Sequence, residues 1–196
     1  MPVKTRAAMM EESRAKLIAA GRKAFAEKGF ADASMDDLTA AAGLTRGALY
    51  HNFGDKKGLL AAVVAQVDGE MAAKARVAAA KASDPWLALE AEGAAYIELA
   101  LDPEIQRIVL LDGPAFLGDP TRWPSQSACL VETRQVLAAL DEAGRLKPVD
   151  VEAAARLING AALNAALWVA ASDDPRAVLP RAVQTFQVLA RGLLKD

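Results

Sequence analysis

Apolar residues recur at three- and four-residue spacing along almost the whole chain, and no stretch alternates in the way of a strand. That pattern restricts the fold to packed amphipathic helices, and the abundance of alanine, the best helix former, agrees with it. The stops are legible too. Asp-Pro occurs at 84–85, 102–103, 119–120 and 174–175. Aspartate accepts hydrogen bonds from the free amides of a helix start, and proline fits the first helical position. Three of these pairs are expected to open helices; the one at 119–120, inside the Gly/Pro-rich stretch 113–124, is expected in a loop or short turn. Nine helices result, at about 11–28, 35–42, 46–52, 56–81, after Asp84, after Asp102, 125–143, after Asp150 and 175–194.

A chain of 196 residues has room for one domain, or for a small domain fused to a larger one. Cys129 is the single cysteine and His51 the single histidine, which removes a disulfide framework, Cys-rich metal sites and the common two-histidine zinc arrangements, and weakens a histidine-based catalytic reading. No catalytic residue, metal site or cofactor is expected. The formal net charge of −2 hides an uneven distribution: residues 1–60 carry 10 Lys/Arg against 7 Asp/Glu, and the remainder is net acidic. A small positive head therefore precedes a larger acidic body. The opening MPVKTRAAMMEESRAK has basic residues with no apolar stretch behind them, unlike a signal peptide. The longest near-apolar run, 157–171, contains Asn159 and Asn164 and falls short of the roughly 18 residues of a membrane span. A cytoplasmic protein without membrane contact is expected.

In the head, Leu17, Ile18, Ala24 and Phe25 share one helical face. Ser34-Met35-Asp36-Asp37 reads as a capping-box-like start with Asp in place of Glu. Gly43 ends the short second helix where a left-handed backbone is cheap, Leu44 plugs the turn, and Thr45 is placed to cap the third. Two short helices around a glycine turn form a helix-turn-helix, whose second helix is shaped for the major groove of double-stranded DNA. Leu49 and Phe53 face inward on this reading, leaving Arg46, Gly47, Tyr50 and His51 outside. Arg46 can fork two hydrogen bonds to guanine, Gly47 permits close approach, and Thr45, Tyr50 and His51 offer phosphate or base-edge contacts. Lys56 opens the next helix, where its charge and the helix amides can meet a phosphate.

Residues 11–60, above all LTAAAGLTRGALYHNFGDKKGLL from Leu38 to Leu60, resemble the DNA-binding domain of the TetR family of repressors. The resemblance implies an all-α fold: a three-helix head over residues 1–55 and a larger ligand-binding and dimerisation domain over 56–196. It places Thr45, Arg46, Gly47, Tyr50, His51 and Lys56 at DNA-binding positions, and Ser34, at the start of the second helix, is expected to join them. Thr39 stands where alanine is common in that family, a change small enough for the packing to absorb.

In the body, Val151, Ala155, Ile158, Ala162, Ala165 and Val169 step along one helix by threes and fours. Leu179, Ala182, Phe186 and Leu189 do the same in the last helix. Both stripes read either as monomer core or, as the resemblance implies, as a homodimer seam; the seam is the expectation, because two-fold symmetry suits a palindromic operator. Trp86, Leu89, Gly93 and Tyr96 fall within one arc, with Phe116, Trp123, Asn164 and Trp168 as further ring or polar candidates. Rings beside an interior glycine read as core or as the lining of a cavity for an unidentified small-molecule effector. Arg107, Arg134 and Glu98 read as surface ion-pair groups, and Cys129 as a small core residue. The expected function is a transcriptional repressor released by an effector. The alternative is an all-α carrier or enzyme for an apolar ligand with a vestigial head.

Overall fold

The computed structural model describes residues 5–195; residues 1–4 and 196, which the expected domain limits include, lie outside it. Among the described residues the chain forms nine helices and no strand, apart from one isolated bridge between Leu146 and Leu194. The helices are α1 (Arg6–Asp32), α2 (Met35–Ala41), α3 (Arg46–Phe53), α4 (Lys56–Ala79), α5 (Pro85–Glu98), α6 (residues 103–117), α7 (Pro124–Glu142), α8 (Val151–Ala171) and α9 (Pro175–Arg191).

Side-chain caps set most starts. Asp84, Asp102, Asp150 and Asp174 each accept from amides of the turn they open. Asp119 opens only a single 3-10 turn, Pro120–Arg122. Two expectations are corrected. The first helix begins at Arg6, where Thr5 caps it, five residues before the expected start. Residues 113–117, expected in a loop, complete α6, and the 106–112 part of that helix is π-helical. The widening has a local cause: Pro114 has no N–H to give the carbonyl four residues back, and its ring crowds that carbonyl. Gly113 fits the wide turn because a Cβ there would approach the Ile108 carbonyl to 3.1 Å and run into Trp123.

One continuous apolar core runs from Leu17, Phe25, Leu38 and Leu49 of the head, through Leu59, Leu60 and Val63 of α4, into the body. At about 1.5 Å per residue the 24 residues of α4 span about 36 Å and carry that core from end to end. Polar ties cross the same junction. Arg22 of α1 forks onto Glu104 of α6 at 2.7 Å on both oxygens and reaches Glu70 of α4 at 2.8 Å. Asp112 accepts from the Phe30 amide at 2.7 Å, at the end of α1 where Gly29 adopts φ 80°.

Helix α8 is long and apolar enough, by length and composition alone, to cross a membrane, which the expectation from the 157–171 run had not credited. Its apolar residues divide between the body core and an exposed stripe.

Candidate nucleic-acid interface and ligand cavity

Helices α2 and α3 meet at a tight turn. Gly43 adopts φ 64°, the Leu44 amide donates to the Thr39 carbonyl at 2.9 Å, and Thr45 caps α3 through the Ala48 amide. The Thr39 hydroxyl, buried, donates back to the Met35 carbonyl at 3.0 Å, so threonine is accommodated within its own helix. Leu49 is fully buried and Phe53 packs on the core beneath the Arg14 guanidinium. Ser34, Thr45, Arg46, Gly47, Tyr50 and His51 are exposed, the last five on the outer face of α3. Ser34 accepts from the Asp36 amide at 3.2 Å, so its hydroxyl also works as the α2 cap. Arg46 forks both arms onto Asp36, and this pairing holds the Asp36 carboxyl below the usual range.

Lys56 is different from its expected role. Its ammonium donates to the carbonyls of Phe30 (2.7 Å), Ala33 (2.9 Å) and Ala31 (3.3 Å) and lies 4.5 Å from the centre of the Phe30 ring. It thus caps the end of α1 from below in the DNA-free chain, a role that competes with the phosphate contact expected of it. The neighbouring Lys57 is exposed in the first turn of α4. The adjacent lysines of the sequence signalled a charge at this end, but not which of the two is turned inward.

The body contains a cavity of about 50 Å³ walled by α4, α5, α7, α8 and α9. Leu89, Gly93 and Tyr96 line it as expected from their arc. The other five candidates do not. Trp86 is core, Trp123 packs against Gly113, and Phe116 lies on Phe30 with ring centres 4.5 Å apart. Asn164 and Trp168 are exposed on the outside of α8. Their places are taken by Ala72, Ala75, Glu92, Gln126, Cys129, Thr133 and Asn159, together with Ile158, Ala162 and Phe186 from the expected seam. Gln126, Cys129 and Thr133 follow one another by three and four on α7, a polar inward stripe that aromatic spacing does not signal.

Six of the ten residues of the expected seam are taken up by this chain's own core. Ala155, Ile158, Ala162, Val169, Ala182 and Phe186 are buried within one chain, and Val151, Ala165 and Leu179 are half-buried. Leu189 is exposed, and it joins Leu157 and Ala161 along an apolar groove between α8 and α9. Leu157, at 74% exposure, and Trp168 stand on the same face of α8.

The cavity's polar groups are unevenly satisfied. Gln126 donates to the Tyr96 hydroxyl at 3.1 Å and Thr133 donates to Asn159 Oδ1 at 2.9 Å. Asp68, one turn from Ala72 on α4, accepts from Ser125, while its Oδ1 and Asn159 Nδ2 have no partner among the described residues. Burial pushes the carboxyls of Asp68 and Glu92 above their ordinary range. It likewise pushes the Cys129 thiol up to about 11, leaving it an unreactive lining group at neutral pH. Arg107 and Arg134 form ion pairs with Asp112 and Glu152 at 3.6 Å, and Glu98 is exposed; none of the three lines the cavity.

A raised carboxyl pKa carries a sign for stability. Between the ordinary value of roughly 3.9 and the raised one, folded chains hold the proton that unfolded chains have lost. The stabilisation is therefore complete at low pH and disappears as pH rises through the folded value. Asp68→Asn keeps the shape and removes the charge. Its melting temperature at neutral pH is expected above that of the wild type, with a smaller decline from weakly acidic to neutral pH. Thermal unfolding followed by circular dichroism checks this; an unchanged decline would mean Asp68 does not titrate in that interval.

Comparison with known proteins decides what this arrangement is. Residues 17–63 match the family model for bacterial regulatory proteins of the tetR family. Residues 86–193, more than half of the chain, match the tetracyclin repressor-like C-terminal domain. The chain belongs to the TetR family of helix-turn-helix transcriptional regulators. A solved TetR-family transcriptional regulator from Pectobacterium atrosepticum is 48% identical with a TM-score of 0.87, over 98% of this chain and 99% of that one. The Transposon Tn10 TetC protein of Escherichia coli is 26% identical over 74% of this chain and 73% of its own length. The similarity to the HTH-type transcriptional regulator SrpR of Pseudomonas putida, 42% identical, is local: it covers 30% of this chain and 28% of SrpR. The Pectobacterium protein, matched over nearly its whole length, and SrpR, matched only locally, are both transcriptional regulators, which disfavours the carrier alternative.

Proposed function

We propose that this TetR-family protein is a cytoplasmic, homodimeric repressor, neither an enzyme nor membrane-bound, that holds a palindromic DNA operator through its two heads and leaves it when a small molecule enters the body cavity. Residues 1–55 act as the head and 56–196 as the effector and dimerisation domain. The observation that carries the reading is the outer face of α3: Thr45, Arg46, Gly47, Tyr50 and His51 are exposed together, while Leu49 behind them is fully buried. A helix anchored on one side and polar on the other can enter a major groove without disturbing its own packing. The dimer is supported by the apolar face of Leu157, Ala161, Val188 and Leu189, which one chain leaves uncovered. A second copy related by a two-fold axis covers it and sets two heads against two half-sites.

Arg46 is the base-reading residue of this account. The fork that meets Asp36 in the free protein matches the O6 and N7 acceptors of guanine. Arg46→Ala is expected to weaken the preferred operator by roughly tenfold or more and to flatten the ranking among single-base variants. Competition anisotropy with a panel of such variants measures both. A ranking left intact would show that α3 does not enter the groove with this edge.

A further inference from the structure

We propose that the effector cavity selects a compact organic cation, a primary or secondary amine on an apolar body of about one ring, whose ammonium meets Glu92, with the buried Asp68 carboxylate as a second like charge behind the lining. The inference rests on the effector reading above and assigns the ligand's chemistry. Most of the wall is apolar: Ala72, Ala75, Leu89, Ile158, Ala162 and Phe186. The charged groups are all of one sign. Glu92 lines the cavity, and Asp68, 1% exposed, lies next to it through Gln126. No lysine or arginine lines the cavity among the described residues. The nearby cation, Arg76, is committed to Glu132 by two hydrogen bonds, at 2.7 and 3.0 Å.

A buried carboxylate without a cation is costly. An ammonium supplies both the charge and the donors, and charge-assisted hydrogen bonds are about twice as strong as neutral ones. A carboxylate ligand would instead meet two like charges in a poorly solvated space. Asn159 Nδ2, buried and without an acceptor, adds a place for a hydroxyl or carbonyl oxygen on the same molecule.

The space is made by Phe186. Its ring lies against Gly93, where a Cβ would come within 2.3 Å of it, and it also borders the outer groove of Leu157 and Leu189. A ring-sized ligand requires that ring to rotate away from Gly93 and enlarge the present 50 Å³. Glycine at 93 is what leaves this side of α5 free for either occupant, the Phe186 ring or a ligand.

The test uses the full-length protein at neutral pH and three probes of similar shape: benzylamine, benzyl alcohol and benzoate, titrated by calorimetry. Benzylamine is expected to bind at least tenfold more tightly than benzyl alcohol, with benzoate weakest. In Asp68→Asn and in Glu92→Gln the amine should lose its advantage while the alcohol binds as before. Equal binding of amine and alcohol, preference for benzoate, no binding of any probe, or an amine preference that survives both substitutions would overturn the proposal. Operator anisotropy with each probe separates this from the effector reading. Amine binding that follows the pattern but leaves DNA affinity unchanged supports the ligand class and defeats release by ligand. Release of DNA by the alcohol or benzoate alone does the reverse.

Discussion

Leu157→Glu is expected to yield a folded monomer that has lost tight operator binding. Leu157 is 74% exposed in the single chain, so the substitution removes almost no packing from the monomer. In the dimer the same carboxylate would be buried in the groove between α8 and α9 without a cation opposite, which is strongly unfavourable. A single head then meets a single half-site, and loss of the second, tethered contact lowers affinity by about a hundredfold or more. Sedimentation gives the mass and anisotropy the affinity. An intact dimer would place the interface elsewhere. Ala162→Glu, the substitution suggested by the seam expected from the sequence, tests something else, since Ala162 is buried in the cavity wall.

Lys56→Ala is expected to destabilise the fold while leaving the salt dependence of DNA binding close to that of the wild type. The ammonium holds three carbonyls at the end of α1, where Gly29 has already broken the helix and no helical amide can serve them. Hydrogen bonds to a charged group contribute about 1.5–3 kcal/mol, and the substitution removes this together with the contact to the Phe30 ring. For a chain of this size about 2 kcal/mol corresponds to about 4–8 °C in melting temperature. A lysine that bound phosphate would behave differently: stability would be unchanged and the slope of log K against log salt would fall by about one. Lys57→Ala, at an exposed position in the same turn, is the paired control.

These two positions mark where the sequence was readable and where it was not. Helix starts were legible because an Asp-Pro pair carries its own local chemistry, and Asp84, Asp102 and Asp174 cap helices without help from the rest of the fold. The glycine turn at 43 and the caps at Ser34 and Thr45 were legible for the same reason. Periodicity also separated Leu49 from Tyr50 and His51. In α8, however, apolar residues surround the helix, so spacing alone could not tell Ile158, which faces the cavity, from Leu157, which faces out. The direction of a long side chain was invisible for a related reason. Lys56 turns towards carbonyls brought near it by the packing of α1 on α4, a contact 23 to 26 residues away in the chain. The cavity was sought through its rings, yet Trp86 and Trp123 are packing groups, and the polar lining comes from α7 and from Asn159.

The central claim is sequence-specific DNA binding by the exposed face of α3. It is tested most directly by fluorescence anisotropy with DNA from immediately upstream of the protein's own gene, over a series of salt concentrations, against a scrambled duplex of equal composition. The expected result is saturable binding that prefers the upstream DNA, weakens linearly in log K with log salt, and loses its preference in Arg46→Ala. Equal affinity for both duplexes at every salt concentration, in wild type and variant alike, would contradict it.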